Sequence, residues 1–92
     1  MFRLSKKADY GLIALKHLTL HGDTAHSAPQ IARMYNMPPE LLAKVLQRLS
    51  KMGVIASHKG IRGGYYLDRD ATEISVADVI QAIDAVTGDL IW

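Results

Sequence analysis

The stretch from Pro39 to Met52 constrains this chain most. At about 100° per residue, Leu41, Leu42, Val45, Leu46, Leu49 and Met52 fall within one arc of about 140°. Glu40, Ala43, Lys44, Gln47, Arg48, Ser50 and Lys51 fill the other side. Such a helix buries one face against its neighbours and leaves the other outside. Here the outer face is polar, basic and long-armed. Gly53 closes the helix, as glycine readily does. The chain then reads VIASH, KGIRGG and YYLDRD. These are two β-prone runs around a glycine-rich turn that carries Lys59 and Arg62.

The remaining elements are read from caps and spacing. Ser5 is a good N-cap for a helix over KKADYGLIALKHLTL, ending near His21 and Gly22. Leu12, Ile13, Ala14, Leu15 and Leu18 are expected to face inward. Gly11 costs about 1 kcal/mol against Ala inside a helix, so its place there points to a close approach. After the polar loop GDTAH, Ser27-Ala28-Pro29-Gln30 fits a capping box with Pro in the first turn. The short helix it opens has Ile31, Ala32 and Met34 on its apolar side. It ends near Tyr35-Asn36, and Asn tolerates the left-handed conformation of a helix end. A last helix opens at Ser75, with Val76, Val79, Ile80 and Ile83 apolar, and frays near Thr87-Gly88.

Helix, short helix, turn, amphipathic helix, basic hairpin, helix is the order of a winged helix-turn-helix. The fold class is mainly α, with a two-stranded β wing. At 92 residues the chain is one domain, and 49% apolar with 22% charged residues is globular composition. The absence of cysteine excludes disulfides, thiolate metal sites and a cysteine nucleophile within these residues. The longest apolar run, Leu12 to Leu15, is far below the ~20 residues of a membrane span. The opening MFRLSKKADYG lacks the apolar stretch of a signal peptide. A cytoplasmic protein is expected.

Charge is split along the chain. Residues 1–62 carry ten of the eleven Lys and Arg against Asp9, Asp23 and Glu40, leaving +7. Residues 63–92 carry Arg69 against Asp68, Asp70, Glu73, Asp78, Asp84 and Asp89, leaving −5. A basic half suits a polyanion. A helix fits the major groove of DNA, and a glycine-rich hairpin with cations can reach the backbone or minor groove.

The segments LSKKADYGLIAL, MPPELLAKVLQRLSKMGVI, SHKGIRGGYYL and ISVADVIQAID resemble the IscR/CymR type of bacterial regulator, the Rrf-type winged-helix repressors. The resemblance covers essentially the whole chain, and the wing with RGGY followed by ISVADVI is its most specific part. It implies a homodimer on a pseudo-palindromic operator, with the second helix of the helix-turn-helix in the major groove and the wing in the minor groove. It also implies, for many members, an iron–sulfur cluster held by three cysteines beyond the wing. That cluster is expected only if the natural protein continues past Trp92 with cysteines. This chain has Ala43 where the family often has glutamate, and Lys59 where it usually has arginine. Residues 1–86 are read as the DNA-binding domain and 87–92 as the start of a linker or C-terminal region.

The residues expected on DNA follow. Glu40, Lys44 and Gln47 are placed on bases, and Arg48 on phosphate. Lys59 and Arg62 are placed at the wing, and Arg3, Ser5 and Lys6 on phosphate at a helix N-terminus. Each has a plainer reading as a solvated surface residue. Tyr10, Tyr65 and Tyr66 are read as packing residues. His17, His21, Asp23 and His26 have the makings of a metal site, but two histidines at i,i+4 on a partly exposed helix are more often surface residues, and no metal is expected. The resemblance implies repression of a metabolic or iron–sulfur assembly operon. The rival reading is a winged helix that docks proteins and has no DNA affinity. No constellation of nucleophile, base and carboxylate supports an enzyme.

Overall fold

A computed structural model describes residues 6–21, 24–60, 63–68, 70 and 73–87. The helices are α1 (Lys6–Leu20), α2 (Ala28–Tyr35), α3 (Pro39–Lys51) and α4 (Val76–Thr87), and the strands are β1 (Ala56–His58) and β2 (Gly64–Tyr66). Arg3, Ser5 and Arg62 lie outside the described residues, as do residues 88–92 of the stretch 87–92 read as the start of a linker.

The caps explain where the central helices stop and start. The Gln30 amide N–H donates to Ser27 Oγ at 3.2 Å. The other half of the expected capping box is not made, because the Gln30 side chain turns instead to the ring of His26. Asn36 takes the left-handed conformation, φ 55° and ψ 51°, and closes α2. Pro38 and Pro39 then start α3 within three residues of α2, Pro39 at a position where its missing N–H costs nothing.

The core is built by one face of each helix. Leu18, Ile31, Leu42, Leu46, Leu49 and Val79 are fully enclosed. At Gly11, α1 meets α4 and α3: a Cβ there would strike Ile83 Cδ1 and come within 3.2 Å of Val45 Cγ1. This is the close approach that the glycine implied.

Three apolar residues expected inside lie outside. Ile13 is 39% exposed, Met34 56% and Met52 51%. On α1 the buried arc is defined by the small residues Ala8, Gly11 and Ala14, where the neighbouring helices come closest. Ile13 is about 100° around the helix from Ala14 and falls off that arc. Met34 falls off the arc of Ala28, Ile31 and Ala32 in the same way. Met52 caps α3 rather than continuing it.

β1 and β2 pair antiparallel, with Ala56 opposite Tyr66, Ser57 opposite Tyr65 and His58 opposite Gly64. On its other edge β2 is bridged to His26. Tyr65 N–H donates to the His26 carbonyl at 2.7 Å, and His26 N–H donates to the Tyr65 carbonyl at 2.9 Å. A lone two-stranded hairpin is marginal in water. This bridge fastens it to the residues that lead into α2.

Candidate nucleic-acid interface

The outer face of α3 carries long polar side chains. Glu40, Lys44, Gln47 and Lys51 are all exposed. Their spacing of 4, 3 and 4 keeps them within about 60° of arc. From Glu40 to Gln47 the helix rises about 10.5 Å, the length of roughly three stacked base pairs. The opposite face, Leu42, Val45, Leu46 and Leu49, is buried and holds the helix rigid. The fold thus brings three of the expected base-reading residues onto one ridge. Arg48 does not share it: it is half-buried and already engaged in an interaction within the protein. Ala43 is half-buried at the edge of the core.

The wing turn is built by its glycines. Gly63 N–H donates to the Gly60 carbonyl at 2.9 Å, closing the turn. Gly60 adopts φ +122°, a conformation that side chains rarely take. A Cβ on Gly63 would strike the His58 carbonyl oxygen. Lys59 stands exposed between His58 and this turn. Lys6, expected on phosphate, is exposed at the first turn of α1. Tyr10 and Tyr65 pack against the core as expected, and Tyr66 is half-buried.

The histidines differ from the expectation. His17 is not a surface residue: it is 1% exposed. Its Nδ1 is 2.8 Å from the Tyr35 hydroxyl, and its Nε2 is buried without a hydrogen-bond partner. An orphan of this kind costs about 1–3 kcal/mol. Burial first, then the neighbouring His26 and His21, hold His17 below the ordinary histidine value of 6.5. His26 is nearly buried as well. The Gln30 amide donates to its Nδ1 at 3.2 Å, which leaves Nε2–H to donate to Thr24 Oγ1 at 3.2 Å. Both nitrogens of His26 are therefore occupied by the protein. Among the described residues, no group of three His, Asp or Glu side chains is placed to hold a metal ion. Helical period alone missed His17 because the residues that bury it, Tyr35 and His26, come from elsewhere in the chain.

The profile of the Rrf2 family, described as that of an iron-dependent transcriptional regulator, matches residues 4–90. The chain belongs to the Rrf2 family. Among relatives, the HTH-type transcriptional regulator IscR of Serratia proteamaculans is 35% identical over 83 residues, covering 89% of this chain and 51% of its own. A relative from Aquifex aeolicus, also named for a helix-turn-helix regulator, is 42% identical over 72 residues, 78% of this chain and 50% of its own. Among solved structures, CymR, the global cysteine regulator of B. subtilis, superposes with a TM-score of 0.82 at 29% identity, over 91% of this chain and 66% of its own. IscR of T. potens gives 0.79 at 30%, over 99% of this chain and 65% of its own. This Rrf2 chain spans about half the length of the curated relatives it matches.

The winged helix-turn-helix reading stands on these likenesses. The family description and the names of these relatives are those of transcriptional regulators. The residues of this chain do not fit the iron–sulfur cluster that the resemblance implies for many Rrf2 members. The sequence holds no cysteine, and no described set of His, Asp and Glu takes its place.

Proposed function

We propose that this Rrf2 chain binds double-stranded DNA sequence-specifically, as the reading head of a transcriptional repressor in the cytoplasm. α3 enters the major groove with Glu40, Lys44 and Gln47 at base edges. The wing reaches the minor groove with Lys59 and Arg62. Arg3, Ser5 and Lys6 meet phosphate at the start of α1, and Arg48 meets phosphate at the flank of α3. The observation that carries this reading is the exposed polar ridge of α3, backed by a fully buried apolar face and followed directly by a cationic hairpin.

A single copy offers one such ridge and reads half a site. A homodimer on a pseudo-palindromic operator reads two, with half-sites one helical turn apart. Apolar side chains left open to solvent, Leu20 at 66% and Val76 at 58%, support burial against a second chain. Residues 1–86 form the DNA-reading unit, and a metabolic or iron–sulfur assembly operon is the regulated target. Any cluster would have to come from cysteines outside this sequence.

The test is binding to duplex DNA as a function of salt. About six phosphate contacts per protomer, at a slope of about −0.9 each, give a steep log–log dependence. The pair Lys59→Ala with Arg62→Ala should flatten the slope by about 1 to 2 and leave thermal stability unchanged. An unchanged slope removes the wing from the mechanism. Absence of salt-sensitive binding by the native chain favours the protein-docking reading.

A further inference from the structure

Three histidine rings and one tyrosine gather at one place. His17 and His21 come from α1, His26 from the stretch before α2, and Tyr35 from the end of α2. The ring centre of His17 lies 4.6 Å from that of His21 and 4.6 Å from that of His26, and His21 and His26 are 5.9 Å apart. Tyr35 meets His17 edge to face at 5.4 Å. His26 also carries the backbone bridge to Tyr65 of the wing, and its ring binds Gln30 in the first turn of α2. One cluster of rings therefore joins the long first helix, the first helix of the helix-turn-helix and the root of the wing.

We propose that this His17–His21–His26 cluster is a protonation-sensitive joint: neutral, it holds α1, α2 and the wing root in their binding geometry, and on taking up a proton it loosens them and lowers DNA affinity. The last clause rests on the DNA-binding reading above.

The chemistry is that of a proton with no acceptor. In the neutral cluster, His17 uses Nδ1 on the Tyr35 hydroxyl and leaves Nε2 without a partner. The cation carries a hydrogen on both nitrogens, so a buried N–H is left unsatisfied beside two further imidazoles. The titratable groups facing the ring among the described residues are His21 on its own helix, His26 before α2 and Tyr35 from α2. None is an anion near neutral pH, so none compensates the charge. The ring of His17 escapes by leaving its site, which gives up the contacts with Tyr35 and His26.

The sign follows from linkage. The unfolded chain takes its proton at about the ordinary histidine value, and the folded chain takes it lower. Stability is therefore full above pH 6.5 and falls as the pH drops from there toward the lowered folded value, and affinity is lost as the pH falls through that lowered value.

The experiment compares the 92-residue chain with His17→Gln. Thermal midpoints and the fluorescence anisotropy of a labelled mixed-sequence duplex are read at about pH 7.5 and 5.5 and fixed ionic strength. Linkage permits at most about tenfold per pH unit per proton, so a loss of affinity of about three- to tenfold is expected in the native chain beyond that in His17→Gln. Every side chain other than residue 17 is the same in both proteins, so its contribution cancels in the comparison. Equal pH dependence of the two proteins, in midpoint and in affinity, overturns the proposal.

If His17→Gln does not fold, the imidazole Cε1–H resonance of His17 in the native chain decides. A midpoint below 6.5 supports the joint, and one at or above 6.5 overturns it. Failure of the native chain to bind duplex at either pH overturns the DNA reading and with it the clause on affinity. The thermal profile and the resonance still judge the joint itself.

Discussion

Lys44 stands exposed between Glu40 and Gln47 on the ridge of α3, and its ammonium is a mobile point charge. That makes it the residue on which reading bases and gripping phosphate are most easily told apart. Lys44→Ala should change which sequences are preferred as well as how tightly they are held, with a loss of about 1–3 kcal/mol on the preferred site and less on others. Binding measured on a panel of single-base variants of the preferred duplex checks this. A uniform loss across the panel would make Lys44 a phosphate contact. Arg48 shows the limit of period-based reasoning at this scale. It lies on the polar side by sequence, yet it is half-buried and engaged within the protein. His17 shows the same limit from the other direction, since its burial comes from Tyr35 and His26 across the fold.

At the scale of elements, the wing depends on a contact that local sequence does not announce. The reading of VIASH and YYLDRD as two strands around a glycine-rich turn agrees with the hairpin seen. The polar loop GDTAH gave no sign that its last residue, His26, pairs with Tyr65, because a single bridge has no periodicity to read. Gly64 marks that contact: a Cβ there would crowd the His26 carbonyl and the Ser27 nitrogen. Gly64→Ala should therefore cost about 1–3 kcal/mol by overpacking, lower the thermal midpoint and weaken DNA binding by freeing the wing. Calorimetry beside duplex titration tests it, and a midpoint equal to that of the native chain would show that the wing is held some other way. Helix caps were legible by contrast, since Ser27, Asn36 and Gly53 act through their own local chemistry. The stripe on α1 was legible only in part. Its small residues, not its largest ones, mark the side where α3 and α4 approach, and Ile13 was misplaced for that reason.

At the scale of the whole molecule, the fold holds one amphipathic helix with its polar face outward. α1 and α4 clamp the back of α3 through Gly11, Val45 and Ile83. α2 fixes its start through the left-handed Asn36, and the bridged hairpin continues from its end. The order of elements was enough to find this arrangement, because it is a property of long segments. The partners of single side chains were not. The central claim is that the assembled surface reads a specific DNA sequence, twice, through two copies. It is tested most directly by selecting duplexes from a random library with the native chain and sequencing those retained. Enrichment of an inverted repeat whose half-sites are centred about 10 base pairs apart is expected, and its loss from selections made with Lys44→Ala. Retention of duplexes without any enriched sequence, or no retention at all, would contradict it.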